Sequence, residues 1–437
     1  MPQYHDGILG PEPRDPGQQF WDPEAQTMSR DQIHQVQSDR LRDMVGRILE
    51  TPVPLFQRKL AEAGIQSVDD IKSVDDINEI PLTVKQDLRD SEAGAPPFGE
   101  YRFTPRESWV RLGTSTGTTG TPTIAVWTRK DIWLEYESAC RNWWRNGWRP
   151  GQIVTHAHPA YQYGGGVMLS GCLEYFGMLN IWVEPPETDE IAVKGINMWA
   201  RVRPDVSMVA FSLGRFMEVA AKEGVELNLP AFSLGGGGGR GLPLMTAGLE
   251  CYAYVGGPCT ESPGAHVHED WAIVQAVDPK TGQDVPDGEW GNLVVTTLDR
   301  DNGLLRYDLE EACMMVREPC PCGETTIRSF WGGRFRDFLN SQGKYFMVSE
   351  VEGALRKVDA VTQPTLEYVV VKPTSETAPL KVRVELLEGP SSGGAEDARQ
   401  RCAASIKELV GVEADVEILE RETLERSGYK AVRLVDA

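Results

Sequence analysis

Basic residues are scarce in this chain of 437 residues: 44 lysines and arginines stand against 65 aspartates and glutamates, a formal net charge of −21. A field of this sign repels polyphosphate backbones and anionic lipids, so we expect neither nucleic-acid nor membrane binding. Long apolar runs are lacking too, since no stretch approaches the roughly 20 residues of a membrane span. No basic segment followed by an apolar one opens the chain, so no secretory signal is visible and a cytoplasmic location is predicted.

Cysteine is also sparse, with eight residues in the whole chain, which excludes a disulfide scaffold. The hydrophobic content of 41% is ordinary for a globular protein. The length exceeds what one hydrophobic core organises, so two or three domains of about 100–200 residues each are expected.

Local patterns predict a mixed α/β chain. Ser29 and Gln32 have the spacing of a capping box, and apolar residues follow at helical intervals as far as Ile48. From Trp109 to Val277, short apolar runs alternate with helical stretches and glycine-rich turns, which favours a mixed α/β core. Turn residues followed by an apolar run predict a strand over residues 292–298.

The pattern changes after Trp331. A helix capped by Ser349, two strands, a long helix and a final strand predict a small α+β domain of β-β-α-β order. The polar, glycine-bracketed segment 332–343 predicts a linker or hinge. We therefore predict an α/β protein with a large domain of mixed sheets and helices over 1–333 and a small, mobile C-terminal α+β domain over 334–437.

The run "GTSTGTTGTPT" around Gly117 is rich in serine, threonine and glycine. Glycines let successive backbone N–H groups converge on an anion, and hydroxyls add donors without charge. The run is not a Walker A loop, because no Gly-Lys-Ser/Thr follows. A flexible linker has a similar composition, but the apolar and aromatic flanks favour a strand–loop–strand cradle.

In this run the sequence resembles the phenylacetate–coenzyme A ligase family. That family belongs to the adenylate-forming superfamily of acyl-CoA synthetases, adenylation domains and luciferases. "STGTTGTPT" is similar to the superfamily's phosphate-binding signature, although Thr121 stands where the family often has lysine. The resemblance covers most of the chain and implies an adenylate-forming fold. It places six residues around the pyrophosphate: Ser115, Thr116, Gly117, Thr118, Thr119 and Gly120.

The resemblance also implies roles near the C-terminus. Lys430, in "RSGYKAVR", matches the catalytic lysine that reaches the carboxylate and the α-phosphate during adenylation. Arg334 would contact the ribose, and Arg336 would be the hinge pivot. Glu311 takes the position of the ribose-holding acid, with Asp308 as an alternative acceptor. From the residues alone, a lysine near a terminus such as Lys430 is usually a surface charge, and Arg334 and Arg336 could be two solvated charges.

The clearest departure from the family follows the glycine-rich segment that contains Gly237. The family has an aromatic–Gly–x–Thr/Ser–Glu motif there, which stacks on adenine and holds magnesium. In this chain Val255 and Gly256 replace the aromatic–Gly pair, and Glu261 or Glu250 replaces the acid. We assign Gly237 and Gly256 to the nucleotide site and Glu261 to Mg²⁺.

The segment "HAHPAYQYGGG" aligns with the family stretch that lines the acyl pocket. Tyr161 and Tyr163 could stack on an aryl ring, and His156 and His158 could bind its carboxylate. Core packing explains each of the four equally well. A polar lining would suit a hydroxy- or amino-substituted aryl acid.

Three cysteines and one histidine have the composition of a structural zinc site: Cys259, His266, Cys320 and Cys322. Three thiolates and an imidazole are the ligands of a closed tetrahedral centre. The resembling family carries the same Cys-x₆-His and Cys-Pro-Cys elements. His268 is the alternative to His266, and four unrelated residues are the alternative to a site.

Together these features predict an aryl acid–CoA ligase that uses ATP, Mg²⁺ and coenzyme A, with a structural Zn²⁺. The substrate would be a small aromatic carboxylic acid. An acyltransferase of the same fold that has lost adenylation and moves an aryl-acyl group between CoA and an acyl carrier protein is the main alternative. A non-catalytic nucleotide-binding protein is a third reading, and a homodimer is left open.

Overall fold

The structure is a computed structural model of the chain. It describes residues 10–11, 14–114, 122–158, 165–227, 251, 254–334, 338–362, 365–373, 375, 377–386, 389, 394–425 and 432–436. Among these residues, none of the helices combines the length and the apolar character needed to cross a membrane.

The α-helices of the described residues range from four residues in α1 to 21 in α2. They are α1 (Pro23–Gln26), α2 (Arg30–Glu50), α3 (Pro54–Glu62), α4 (Lys85–Gly94), α5 (Arg129–Arg145), α6 (Gly165–Phe176), α7 (Asp189–Val202), α8 (Ala210–Lys222), α9 (Val348–Leu355), α10 (Asp359–Thr362) and α11 (Ala395–Leu409). The capping box predicted for α2 is confirmed: Ser29 Oγ accepts from the Gln32 backbone N–H, and Gln32 Oε1 accepts from the Ser29 backbone N–H.

The strands fall mainly in the second half of the chain. They are β1 (Trp109–Thr114), β2 (Ile124–Thr128), β3 (Ile153–His156), β4 (Leu179–Trp182), β5 (Val206–Met208), β6 (Gly256–Pro258), β7 (Ala265–Val267), β8 (Ala272–Val277), β9 (Trp290–Thr297), β10 (Tyr307–Val316), β11 (Arg328–Arg334), β12 (Phe338–Ser341), β13 (Lys344–Met347), β14 (Tyr368–Val371), β15 (Leu380–Glu385), β16 (Ala414–Leu419) and β17 (Leu434–Val435). The predicted strand over 292–298 is confirmed as β9.

The strands form five sheets within the described residues. A six-stranded sheet has the order β6-β7-β11-β10-β9-β8, and a four-stranded sheet has the order β16-β15-β14-β17. A three-stranded sheet has the order β4-β3-β5, in which β3 and β5 are parallel; β1–β2 and β12–β13 are two-stranded. Mixed sheets covered by helices confirm the predicted α/β class.

The chain divides into two compact units. The first comprises Met1–Gly151, Ala160–Leu179 and Leu242–Trp331; the second comprises Gln152–Pro159, Asn180–Gly241 and Gly332–Ala437. In the first unit, buried residues of α2 and α3 pack with β8 and β9. The second unit contains the predicted C-terminal domain together with two earlier segments, so the division at 333/334 stays a prediction.

The C-terminal part has the predicted order of two strands, a helix and a strand, β14-β15-α11-β16. One detail of the sequence prediction is wrong. Helix α9 begins after Met347, and the Met347 backbone N–H donates to Glu350 Oε2 at 2.7 Å. Ser349 therefore lies inside the helix and does not cap it. The predicted linker 332–343 holds the end of β11 and the strand β12.

Candidate active site and metal centre

The phosphate loop itself, Ser115, Thr116, Gly117, Thr118, Thr119 and Gly120, lies outside the described residues. Its flanks are described: β1 and β2 are antiparallel partners, and Thr114 pairs with Ile124 across the segment. Ile124 is anchored because its N–H donates to Glu92 Oε1 at 3.1 Å and its carbonyl accepts from Arg102 Nη2 at 2.7 Å. Such paired, anchored strands are what a strand–loop–strand cradle requires.

Several other predicted residues also fall outside the described part of the chain. These are Tyr161, Tyr163, Gly237, Arg336 and Lys430. Arg334 is the last residue of β11. The roles assigned to all of them stay predictions.

A bulge in β10 determines the directions of the Asp308 and Glu311 side chains. The pairing of β10 with β9 shifts between Asp308 and Ala312, and Glu310 has a positive φ of 56°. Asp308 is buried and accepts from Asn292 Nδ2 at 2.9 Å, and burial raises its pKa. Glu311 is only partly buried and accepts from Trp331 Nε1 at 2.6 Å. Glu311 is therefore more exposed than Asp308, and the ribose role predicted for either residue stays a prediction.

Gly256 lies where two strands approach very closely. A Cβ added to it would lie 2.5 Å from the His266 carbonyl oxygen, so only glycine permits this pairing of β6 with β7. Its own carbonyl accepts from Asn142 Nδ2 at 3.0 Å. Exposed Glu261 lies in the loop after β6, and its backbone N–H donates to Cys259 Sγ at 3.4 Å. Gly256 thus has a packing role besides the predicted nucleotide role.

His156 and His158 lie at the carboxyl end of β3, where ligands commonly bind in parallel α/β sheets. The His156 ring packs 5.3 Å from the Trp182 ring, and Trp182 Nε1 donates to the His158 carbonyl at 2.9 Å. Burial, aided by nearby His158, lowers the pKa of His156 to about 3, and burial lowers the pKa of His158 to about 4. Both imidazoles are neutral at neutral pH, so they could bind a carboxylate only as uncharged donors.

The four predicted metal ligands do come together. The ligand atoms of Cys259, His266, Cys320 and Cys322 all lie within 4.8 Å of one another, and all four residues are buried. Cys259 Sγ is 3.5 Å from Cys320 Sγ, and Cys322 Sγ is 3.3 Å from His266 Nε2. Ligands about 2.0–2.3 Å from a tetrahedral zinc ion would be separated by about 3.5–3.8 Å. The residues present fit a closed Cys₃His centre.

Backbone donors surround the sulfurs. The N–H groups of Glu261 and Glu324 each donate at 3.4 Å, to Cys259 Sγ and Cys322 Sγ respectively. A hydrogen bond from Cys322, with further ones from His266 and the backbone, lowers the pKa of Cys259 to about 3. The same hydrogen bond raises the pKa of Cys322, so the cluster favours the thiolate of Cys259, the form of cysteine that binds metals.

The two histidines of this region have different surroundings. His268 is buried against the Trp271 ring at 5.9 Å, and burial lowers its pKa well below the usual value. His266 Nε2 instead faces Cys322. His266, and not the alternative His268, therefore belongs to the cluster of four candidate ligands.

Comparisons with known proteins show the family of this chain. Residues 345–437 match the family model of the AMP-binding enzyme C-terminal domain. The chain is 32% identical to the phenylacetate-coenzyme A ligase of Thermus thermophilus, over 95% of this chain and 99% of that protein. This chain belongs to the phenylacetate–coenzyme A ligase family. It is also 28% identical to the phenylacetate-coenzyme A ligase of Escherichia coli K12, over 94% of this chain and 96% of that protein. Membership makes the protein an acid–thiol ligase of the adenylate-forming class.

A solved structure gives the fold of this ligase family member. A crystal structure of 2-hydroxyisobutyryl-CoA ligase in the postadenylation state, in complex with 2-HIB-AMP, matches with a TM-score of 0.86. The match covers 100% of this chain and 95% of that chain at 22% identity, so it shows the fold alone. The predicted adenylate-forming architecture is confirmed.

Sequence reasoning missed two groups of residues in this ligase. Trp331 contacts Glu311 from the neighbouring strand, and the only sequence signal was an indole placed three residues before Arg334. Glu324 and Arg145 form a buried ion pair beside the metal ligands, with Glu324 Oε2 2.6 Å from Arg145 Nε. A glutamate two residues after Cys322 was the signal for that pair.

Proposed function

We propose that this ligase activates a small aromatic carboxylic acid with ATP as an acyl-adenylate, releases pyrophosphate, and then transfers the acyl group to coenzyme A. The observation that carries the proposal is its similarity to phenylacetate-coenzyme A ligases along nearly the whole chain, 95% for the Thermus thermophilus protein and 94% for the Escherichia coli protein. The Ser/Thr–Gly run between β1 and β2 supports the same reaction.

Adenylation brings two anions together, the carboxylate and the α-phosphate, so the site must supply donors and positive charge. In this proposal residues 115–120 hold the phosphates, and Lys430 offsets the charge at the reacting atoms. Glu311 and Arg334 hold the ribose, Gly237 and Gly256 border the nucleotide, and Arg336 is the hinge pivot. Mg²⁺ would neutralise phosphate charge, and Glu261 is the residue proposed to hold it.

The residues proposed to contact the acyl group are His156, His158, Tyr161 and Tyr163. Neutral imidazoles and phenol hydroxyls donate and accept hydrogen bonds without carrying charge. Such a lining suits a ring with hydroxyl or amino substituents better than an unsubstituted ring. Support for the neutral state comes from the burial of both histidines beside Trp182.

The proposal includes a structural Zn²⁺ held by Cys259, His266, Cys320 and Cys322. Its support is the buried set of four ligand atoms within 4.8 Å. Four protein ligands leave no position for water, so the ion would link the β6–β7 loop to the β10–β11 loop and take no part in the chemistry. A cytoplasmic location and a monomer or homodimer complete the proposal.

The competing function is acyl transfer without adenylation. The observation that favours it is that Val255 and Gly256 replace the family's aromatic–Gly pair. Whole-length similarity to ligases favours adenylation instead. Acid-dependent exchange of labelled pyrophosphate into ATP, measured across a panel of aryl acids, tests the choice. At least one aryl acid should support exchange and then form its CoA thioester. Consumption of aryl-CoA with a carrier protein, and no exchange with any acid, would establish the transferase.

A further inference from the structure

The ring of His266 is held in one orientation by residues outside the metal ligand set. Its Nδ1 lies 3.1 Å from the Thr326 carbonyl oxygen and 3.1 Å from Thr326 Oγ1. A carbonyl oxygen only accepts, so Nδ1 carries the ring proton. In the neutral ring, the form that binds a metal, the lone pair is then on Nε2, which faces Cys322 Sγ at 3.3 Å. This is the tautomer that a metal-binding imidazole needs.

The Thr326 hydroxyl is oriented in turn by a buried carboxylate. Thr326 Oγ1 donates to Glu324 Oε1 at 3.1 Å, which leaves the oxygen lone pairs of Thr326 directed to His266. Residues 324, 326 and 266 therefore form one chain of hydrogen bonds. Its direction is set at the Glu324 end, since a carboxylate only accepts.

Glu324 is itself fixed from helix α5. Arg145 donates to it in bidentate geometry, Nε to Oε2 at 2.6 Å and Nη2 to Oε1 at 2.7 Å, and both side chains are buried. Gln26 Nε2 adds a third donor at 3.2 Å. A carboxylate held by three donors has little freedom to turn, so the position of the Thr326 hydroxyl is fixed as well.

The same pair of residues also contacts both halves of the ligand set. The Glu324 backbone N–H donates to Cys322 Sγ at 3.4 Å, and Arg145 Nη1 donates to the Gly257 carbonyl at 3.2 Å, two residues before Cys259. Outer contacts of this kind orient metal ligands, and their loss typically costs about 10–100-fold in metal affinity.

We propose that Glu324, held by Arg145, is a positioning residue of the metal centre: through the Thr326 hydroxyl it keeps His266 Nε2 directed at the three thiolates and so slows loss of the metal. This inference rests on the zinc centre included in the proposed function. It assigns a role to a buried ion pair that the acid–thiol ligase reaction does not use.

The test compares full-length Glu324→Gln and Thr326→Val with the wild-type enzyme. Thr326→Val keeps the backbone carbonyl and the side-chain shape but removes the hydroxyl. Zinc per chain is determined first, and then the rate at which zinc passes to a chromophoric chelator. Both variants should release zinc about 10-fold faster or more, and Thr326→Ser should restore the wild-type rate. In the cobalt-substituted protein, both should shift the visible bands of the tetrahedral centre.

Asp270→Asn is the matched control. Asp270 is a buried carboxylate held in the same bidentate way by Arg141 of α5, Nη1 to Oδ1 at 2.7 Å and Nη2 to Oδ2 at 2.9 Å. Equal release rates in Thr326→Val, Glu324→Gln and Asp270→Asn would overturn the proposal, as would cobalt bands identical to wild type. If the purified wild-type protein contains no zinc, there is no metal centre for Glu324 to position, and the proposal fails. Because no substrate is used, these outcomes are independent of whether adenylation is observed.

Discussion

Trp331 donates its indole N–H to Glu311, with Nε1 2.6 Å from Oε2. The two residues lie on the neighbouring strands β11 and β10, and the β10 bulge turns Glu311 toward the indole while Asp308 stays inside the sheet. The contact gives the glutamate side chain a defined direction. This matters because Glu311 stands at the position of the family's shorter ribose-holding acid.

We expect Glu311→Ala to raise the KM for ATP by about tenfold or more, because hydrogen bonds to a charged group contribute about 1.5–3 kcal/mol each. Trp331→Phe should raise it less, about two- to fivefold, since the carboxylate remains and only its orientation is loosened. Pyrophosphate exchange at varied ATP concentration measures both. Glu310→Gln, an exposed neighbouring carboxylate, is the control. An unchanged KM for ATP in Glu311→Ala would remove Glu311 from the ribose site.

Lys430→Ala should lower the rate of acyl-adenylate formation by about 100-fold or more, because a charged donor at the developing charge is typically worth that much. Its thermal unfolding midpoint should match that of the wild type. Lys372→Ala is the control, since Lys372 is an exposed lysine that pairs with Asp436 at 2.8 Å. If exchange proceeds at the wild-type rate in Lys430→Ala, this lysine has no part in adenylation.

The purified protein should contain about one zinc per chain, and Cys320→Ser should lose it, because a hydroxyl is a poor replacement for a thiolate ligand. The unfolding midpoint should then fall by about 5 °C or more, as binding to the folded state alone stabilises it. Elemental analysis and calorimetry measure the two effects. Cys402→Ser, which alters a buried cysteine in the core of the C-terminal part, should keep its zinc. The prediction would be contradicted if the purified wild-type protein contained no metal and had the same unfolding midpoint as Cys320→Ser.

Acid should destabilise the protein through His156 and His158. Their folded-state pKa values of about 3 and 4 lie below the 6.5 of an exposed histidine, so between these values the unfolded chain binds protons that the folded chain does not. Stability is therefore lost as the pH falls below about 6.5, by up to about 1.4 kcal/mol per pH unit for each group.

Denaturant unfolding between pH 7 and pH 5 checks this prediction. His156→Gln should flatten the dependence of the unfolding free energy on pH. A wild-type pH slope in His156→Gln would mean that the imidazole is not held neutral by burial.

Some structural features of this ligase could be predicted from short sequence segments, and others could not. The Ser29 cap was predictable because a capping box acts within four residues. The predicted cap at Ser349 was wrong because the helix begins two residues earlier, where Glu350 Oε2 accepts from the Met347 backbone N–H. For the candidate site, the types of the four metal ligands were visible in the sequence, but their supporting residues were not.

The sequence by itself determined the family, the order of the C-terminal strands and helix, and the chemistry of the metal ligands, because these depend on local spacing and residue type. Only the tertiary structure decided that Cys259 and Cys320, 61 residues apart, lie 3.5 Å from each other. It alone placed His266 rather than His268 in this cluster, and it gave Asp308 and Glu311 different partners, Asn292 and Trp331. Strand register and a bulge decide which face a side chain points to, and both result from pairing between distant segments rather than from neighbours in the chain.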